Sequence, residues 1–478
     1  MGKFNQPNTI TNRTENLAGG EAFQETPKLE FASILLTSFV KDQFYREEND
    51  TVTRIVELLG KLPDKKFAAK AAIFARTKYG MRSISHVVAA EIAKSVKGET
   101  WTKSFFEKII YRPDDMGEIL AYYYKSGAKN EPNSLKKGFA KAITKFSEYQ
   151  LAKYNKKGID VSLLDIVNLV HPKSNEALAK LIKGTLSAPD TWEVKLTQAG
   201  QKAKTEEEKE TFKKDAWKDL IEGKKIGYFA LLRNLRNILE QAAEVMPKAL
   251  ELLVEENLIK KSLVLPFRFS TAIKEIEDVT GVDTKLTRDT LIALNKAVEI
   301  SLSNVPKFDG LTLVVLDTSG SMGGKPKEIG SLFSAVLIKS NNADFMYFND
   351  HATYMNLNPM DSLLTITKRI ENETDSGGTN FDVIFEEANK PYDRIIILSD
   401  MQGWINDDVP TKTFEAYKKR TGGNPKIFSF DLAGYGTLQM PQENVYCLAG
   451  FSEKVFDIIK LLEEDRNALI TEIEKIEL

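Results

Sequence analysis

The 478-residue sequence predicts two successive architectures, a solenoid of helix pairs and then a doubly wound α/β domain. Three observations carry that reading. From about Phe31 to Ser303, apolar residues recur at three-to-four spacing almost without a break, which is the period of one helix face. After Pro306, short β-rich apolar runs alternate with helical stretches, as parallel strands joined by crossover helices do. Charge divides the chain at the same place. Residues 1–300 hold 49 Lys/Arg against 41 Asp/Glu, whereas residues 301–478 hold 17 against 27.

Residues 1–25 are polar and rich in Gly, Asn and Thr, and are expected to form a mobile arm without the apolar core of a signal peptide. Residues 26–305 form the helical part. FAAKAAIFARTKYG, SHVVAAEIAKSV, DMGEILAYYYKS, SLLDIVNLV and YFALLRNLRNILEQAAEVM each present an apolar face, and Gly80, Gly98, Gly127, Gly158, Pro172, Gly184 and Gly200 punctuate them. No strict period is visible, so any repeats have diverged. Residues 306–478 form the α/β part. Strands are expected at LTLVVLD (311–317), ADFMYF (343–348), TYMNLN (353–358), RIIILSD (394–400), KIFSFDLAG (426–434) and NVYCLA (444–449). The turn NDHA (349–352) makes the second and third of these a hairpin, hence one antiparallel strand in an otherwise parallel sheet. The C-terminal run VFDIIKLLEEDRNALITEIEKI reads as one long helix able to pack back over the molecule.

Composition narrows the function classes. With 42% hydrophobic and 28% charged residues the chain can bury a sizeable core. Its one cysteine, Cys447, excludes intramolecular disulfides and Cys-rich zinc sites. No apolar run approaches the ~18 residues of a membrane span. A reduced, cytoplasmic setting without a membrane role is the expectation. Residues 51–200 hold 26 Lys/Arg against 15 Asp/Glu. That excess fits a polyanionic partner, and equally the solvated lysines of ordinary helix faces.

VVLDTSGSMGG (314–324) is the most informative stretch. An aspartic protease needs two such loops to pair its carboxylates, and the second is absent. A nucleophilic aspartate needs a nearby acid or base, and the loop holds no histidine. A hard-cation site fits better, because a parallel strand delivers ligands at its carboxyl end. Asp317, Ser319 and Ser321 supply one carboxylate and two hydroxyls, and Mg²⁺ takes oxygen ligands while keeping several waters. Thr379 in DSGGTNFD and Asp400 at the end of RIIILSD are the candidate distant ligands. Taken singly, Thr379 could be a helix N-cap and Asp400 a strand-end turn residue.

DTSGS, GGT and the strand-ending SD resemble the metal-ion-dependent adhesion site of von Willebrand factor A domains. The resemblance implies that Asp317, Ser319, Ser321, Thr379 and Asp400 hold Mg²⁺ or another divalent cation, directly or through water. It also implies a coordination position left for a partner's carboxylate. In the helical part, KYNKKG, SLLDIVNLVHPKSNEAL, TWEVKLTQAG, AWKDLIEGKKIGYFALLRNLRNI and LPFRFSTAIKEIED resemble the TROVE architecture of the Ro ribonucleoprotein family, in its bacterial or phage type. That resemblance covers nearly the whole chain after residue 30. It implies a ring-like solenoid of HEAT-like helical repeats closed by a doubly wound, Rossmann-like von Willebrand factor A domain. The implied function is non-catalytic binding of small structured Y-like RNAs and of the single-stranded 3′ ends of misfolded RNAs, in RNA quality control or as an RNP scaffold. An exoribonuclease or another carboxylate-presenting protein is the partner expected at the metal site. The alternative is an adaptor whose A domain grips such a partner through Mg²⁺.

The candidate RNA surface starts with Lys137, Lys141 and Lys145, spaced i, i+4, i+8 on one helix face, with Leu135, Phe139, Ile143, Phe146 and Tyr149 on another. By the resemblance, Lys153, Lys157 and His171 match positions of RNA contact, with Lys156 and Lys157 interchangeable. His171, before Pro172, could equally cap a helix end. His86 and His351 have no companion ligands and read as structural. No paired-carboxylate, His-metal or phosphate-activating cluster supports a nuclease.

Overall fold

The computed structural model describes residues 13–15, 21–23, 27–37, 48–155, 158–187, 191–401, 403, 410–432, 445–449, 455–464 and 468–478. Inside the segment expected as an arm, strands β1 (Arg13–Glu15) and β2 (Glu21–Phe23) pair antiparallel, with Thr14 opposite Ala22. The residues around them lie outside the described set.

Among the described residues from Pro27 to Ser301 every element is a helix, and each packs mainly on helices one or two places away in sequence. Such local packing is what a solenoid does. The turns are written in side chains. The Asp64 carboxylate accepts from the backbone N–H of Lys66 and Phe67 and starts the Lys65–Lys78 helix. Ser147 with Gln150, and Ser162 with Asp165, form capping boxes. Gly138 lets the Asn133–Ile143 helix press onto Thr102–Lys108, because a Cβ there would sit 2.6 Å from the Cβ of Phe106.

One buried ionic knot ties the early helices together. The Asp115 carboxylate, fully buried, accepts from Arg76 Nη2 at 2.9 Å, His86 Nε2 at 3.0 Å, and the backbone N–H of Tyr111 (2.9 Å) and Arg112 (2.8 Å). These donors, led by His86 and Arg76, outweigh burial and hold Asp115 far below the usual carboxylate range. Burial is the largest influence on His86 and pushes it down. His86 is therefore a neutral imidazole donating its Nε2 proton, and the positive charge of the knot resides on arginine.

The α/β part holds β3 (Thr312–Asp317), β4 (Asp344–Phe348), β5 (Ala352–Tyr354), β6 (Arg394–Ser399), β7 (Lys426–Asp431) and β8 (Val445–Ala449). Among the described residues they form one sheet in the order β5-β4-β3-β6-β7-β8, with β5 antiparallel to β4 and every other pair parallel. β3 and β6 are buried at every position. Val314, Leu316, Ile396 and Leu398 pack on one side, and Leu313, Val315, Ile395 and Ile397 on the other. A strand covered on both faces reads as a continuous apolar run, which is why these two were plain in the sequence.

Both ends of the helical array dock on this domain. At one end Phe267 stacks on Phe333 and Phe333 on Phe456, with ring centroids 6.0 and 4.9 Å apart. Lys339 also pairs with Glu299 at 3.1 Å. At the other, the Pro27–Thr37 helix packs against β8 and against Ala468–Glu474, and Lys28 meets Glu474 at 2.8 Å. Lys108 Nζ donates to the Glu477 carbonyl at 2.8 Å, while Leu469 and Ile473 are buried. Within the C-terminal run expected as one helix, the described residues form Val455–Glu464 and Ala468–Glu474, and the latter clamps the first helices of the array.

Candidate metal centre and nucleic-acid interface

β3 ends in Asp317, at the carboxyl end of the sheet, and the loop after it is stapled to its neighbours. Thr318 N–H donates to Phe348 O at 2.8 Å and Gly320 N–H to Gly377 O at 3.2 Å, which draws the Thr379 loop alongside. Buried Asn349 donates to both Thr318 Oγ1 (3.3 Å) and Asp375 Oδ1 (3.0 Å), and its carbonyl accepts the Asn380 N–H at 2.8 Å. Asp317, Ser319, Thr379 and Asp400 are buried and Ser321 is exposed, so the cluster opens to solvent on the Ser321 side.

The donor set suits a hard divalent cation. Ser319 Oγ and Ser321 Oγ lie 3.2 Å apart. Adjacent corners of an oxygen octahedron around Mg²⁺ are separated by about 3 Å. Burial raises the Asp317 carboxyl to about 7, and the nearby Asp400 charge adds to the rise. A carboxylate buried beside a second charge gains from a cation near it. Among the described residues no group of three or more His, Cys, Asp or Glu is placed to hold a metal, so any cation here relies on hydroxyls and water beside its carboxylates. Ser399 belongs to the strand-ending SD, but the sequence assigned it no role. Its hydroxyl donates to Asp317 Oδ2 at 2.5 Å and accepts the Met401 N–H at 2.9 Å, while Ser319 N–H donates to Asp317 Oδ1 at 2.8 Å. Both carboxylate oxygens are thereby oriented by the protein itself.

The expected lysine face is altered by the fold. The helix bearing Lys137 and Lys141 ends at Ile143, so Lys145 lies in the turn before the next helix and not on a third helical step. Lys141 and Lys145 both pair with Glu107, the first at 2.8 Å, and hold its carboxyl below its usual range. Two of the three charges are thus shared with one carboxylate. Lys137 is exposed, and Lys153 is exposed with its Nζ 5.8 Å from the Tyr154 ring centroid. Lys156 and Lys157 lie outside the described residues. His171 is the C-cap of Leu163–Val170 in the left-handed region (φ 46°), donating its N–H to Val167 O, and its ring is exposed. It caps the helix while remaining open to a partner. His351 is exposed at the surface, 2.7 Å from Asp350, which raises its pKa.

Residues 32–184 and 180–309 match the TROVE domain, and residues 312–462 match the Ro60 vWA domain. The chain belongs to the TROVE family. Over 343 residues it is 22% identical to telomerase protein component 1 of Mus musculus, covering 52% of this chain and 13% of that protein. Over 98 residues it is 26% identical to telomerase protein component 1 of Rattus norvegicus, covering 19% of this chain and 4% of that protein. This TROVE-family chain therefore spans a small fraction of the curated relatives it matches. Among solved structures, the Ro (RSR) protein of Deinococcus radiodurans superposes with a TM-score of 0.61 at 16% identity, over 94% of this chain and 99% of that one. That likeness establishes the shared fold: a helical repeat array joined to a von Willebrand factor A domain.

Proposed function

We propose that this TROVE-family chain is a non-catalytic RNA-binding component of a ribonucleoprotein. The observation that carries the reading is the match of two consecutive TROVE segments to a helical array whose residues 51–200 are strongly basic. Its RNAs are small structured Y-like species and the single-stranded 3′ ends of misfolded RNAs, and its setting is cytoplasmic RNA quality control or RNP scaffolding. Phosphate contacts come from Lys137 and Lys153, and Lys156, Lys157 and His171 are the further candidates. The test is RNA affinity across a salt series for wild type and for Lys137→Ala/Lys153→Ala. The variant should bind more weakly with a shallower log K against log salt slope. Unchanged affinity and slope would overturn this surface.

A second reading concerns the A domain, and the clustering of Asp317, Ser319, Ser321 and Asp400 beside the Thr379 loop favours it. These residues would hold Mg²⁺, which supplies Lewis acidity toward a carboxylate of a protein partner such as an exoribonuclease. The domain's own part is to orient the ligands and leave the exposed Ser321 side open. Mg²⁺ should raise the melting temperature of wild type and leave Asp317→Ala unaffected, since a ligand at 100 times its Kd stabilises by about 2.7 kcal/mol. An equal response of both proteins would remove the metal from this site.

A further inference from the structure

A cleft of about 300 Å³ lies between the Asp115–Lys125 helix and the loop that leads to Leu163, beside Lys153 and apart from the metal centre above. Its size is at the lower end of small-ligand sites. It exists because the helix carries little bulk there. Gly117 has the Val161 carbonyl oxygen 2.6 Å from where a Cβ would be, so the loop backbone sits directly on the helix, and Ala121 lines the cleft a turn later.

Its walls are of two kinds. Tyr154 supplies an aromatic wall, with the Arg112 guanidinium 4.4 Å from its ring centroid. Arg112 is itself fixed by Asp114, through Nε to Oδ1 at 3.1 Å and Nη2 to Oδ2 at 2.8 Å. The aromatic wall is therefore backed by an oriented cation before any ligand arrives. Ile159 also lines the cleft and is 42% exposed, an apolar side chain left toward water.

The polar groups are acceptors with capacity to spare. Asp114 is engaged by both Arg82 and Arg112. Glu118 approaches Arg82 only to 3.6 Å, beyond hydrogen-bonding distance, and Asp160 has no ion-pair partner among the described residues. A fitting ligand has a flat face for Tyr154 and Ile159, and an edge of donors for Glu118 and Asp160. Nucleobases unstacked from single strands bind in this way, on aromatic and guanidinium planes with their edges hydrogen-bonded. Guanine alone presents two adjacent donors, N1–H and the N2 amino group, on its pairing edge. Adenine and cytosine set an acceptor beside their amino group, and uracil flanks its one N–H with two carbonyls. Both arrangements point lone pairs at a carboxylate.

We propose that this cleft is a guanine pocket for an unstacked base of single-stranded RNA, with Glu118 and Asp160 reading the edge, Tyr154 stacking and Lys153 at the phosphates. It rests on the RNA-binding reading above and adds base selectivity to it. The test uses the full chain and fluorescence anisotropy with labelled oligouridylate of about ten nucleotides, alone or with one central G, A or C. The G-bearing strand should bind about tenfold more tightly than oligouridylate, the scale of one well-made base-edge contact. Glu118→Gln/Asp160→Asn should erase the preference for the G-bearing strand over oligouridylate, while Tyr154→Leu should weaken the G-bearing strand. Glu118 and Asp160 are exposed, so the double variant keeps the fold. Equal binding of all four strands overturns the pocket alone. So does A matching G, which signals stacking without edge reading, or a double variant that tightens every strand alike, which signals simple charge repulsion. Failure of every strand to bind at low salt overturns the RNA-binding reading itself.

Discussion

Replacing Asp115 with Asn tests whether the buried knot organises the helical array. The substitution preserves shape but removes the charge facing Arg76, whose side chain is only 4% exposed. One carboxylate oxygen becomes an NH₂ group set among donors: on the Oδ1 side Arg76, Arg82 and His86, on the Oδ2 side Arg76 and the N–H groups of Tyr111 and Arg112. Removing one member of a buried pair destabilises by about 3–5 kcal/mol, because the remaining charge stays buried and uncompensated. Leaving a buried donor unmet alone accounts for about 1–3 kcal/mol, so the lower bound does not depend on the ion pair being ideal. Urea unfolding followed by far-UV circular dichroism should show the first transition moving to lower denaturant by that amount. A loss under about 1 kcal/mol would refute the reasoning and mean that water or a rearranged Arg76 satisfies the site. Because Asp115 also anchors the backbone N–H of Arg112, the variant should weaken the Arg112–Tyr154 stack as well.

His86→Gln keeps a donor for Asp115 and removes the titration. The folded-state pKa of His86 lies below the ordinary 6.5, so its contribution is complete above that pH and declines as pH falls through it. Between pH 7.5 and 5.5 wild type should therefore lose stability relative to the variant, by at most about 1.4 kcal/mol per unit. Parallel urea midpoints would dismiss a neutral buried imidazole. Glu107→Gln releases Lys141 and Lys145, and should tighten RNA binding and steepen the log K against log salt slope by roughly 0.7 for each phosphate gained on a single strand. No change in slope would place these lysines off the RNA path. Ser399→Ala frees Asp317 Oδ2, and should weaken Mg²⁺ binding by about 10–100-fold in calorimetry, as loss of an orienting partner does. Undiminished affinity would leave Ser399 a packing residue.

The parts legible in the sequence were those whose signal is local. β3 and β6 stood out as apolar runs because both faces are covered, and Asp317, Ser319 and Ser321 fall within five residues. The role of Ser399 was missed because a serine one place before a strand-ending aspartate looks like turn chemistry, and its bond to Asp317 spans 82 positions. Glu107 was missed for the same reason, since its bond to Lys145 spans 38 positions and periodicity sees only neighbours. The end of the lysine helix was readable in hindsight. Ser147 followed by Gln150 is the pattern that starts a new helix, and it places Lys145 in the turn before it.

The two docking joints differ in kind. The helix Thr284–Ser301 is joined to the A domain by about ten residues of chain, whereas the Pro27–Thr37 helix reaches it only by contact. The second joint is thus an association within one molecule, governed by an effective concentration and not by the amount of protein present. Contacts too weak to hold two separate proteins together therefore suffice to keep this one shut. Dilution therefore does not shift the balance between a closed joint and a parted one.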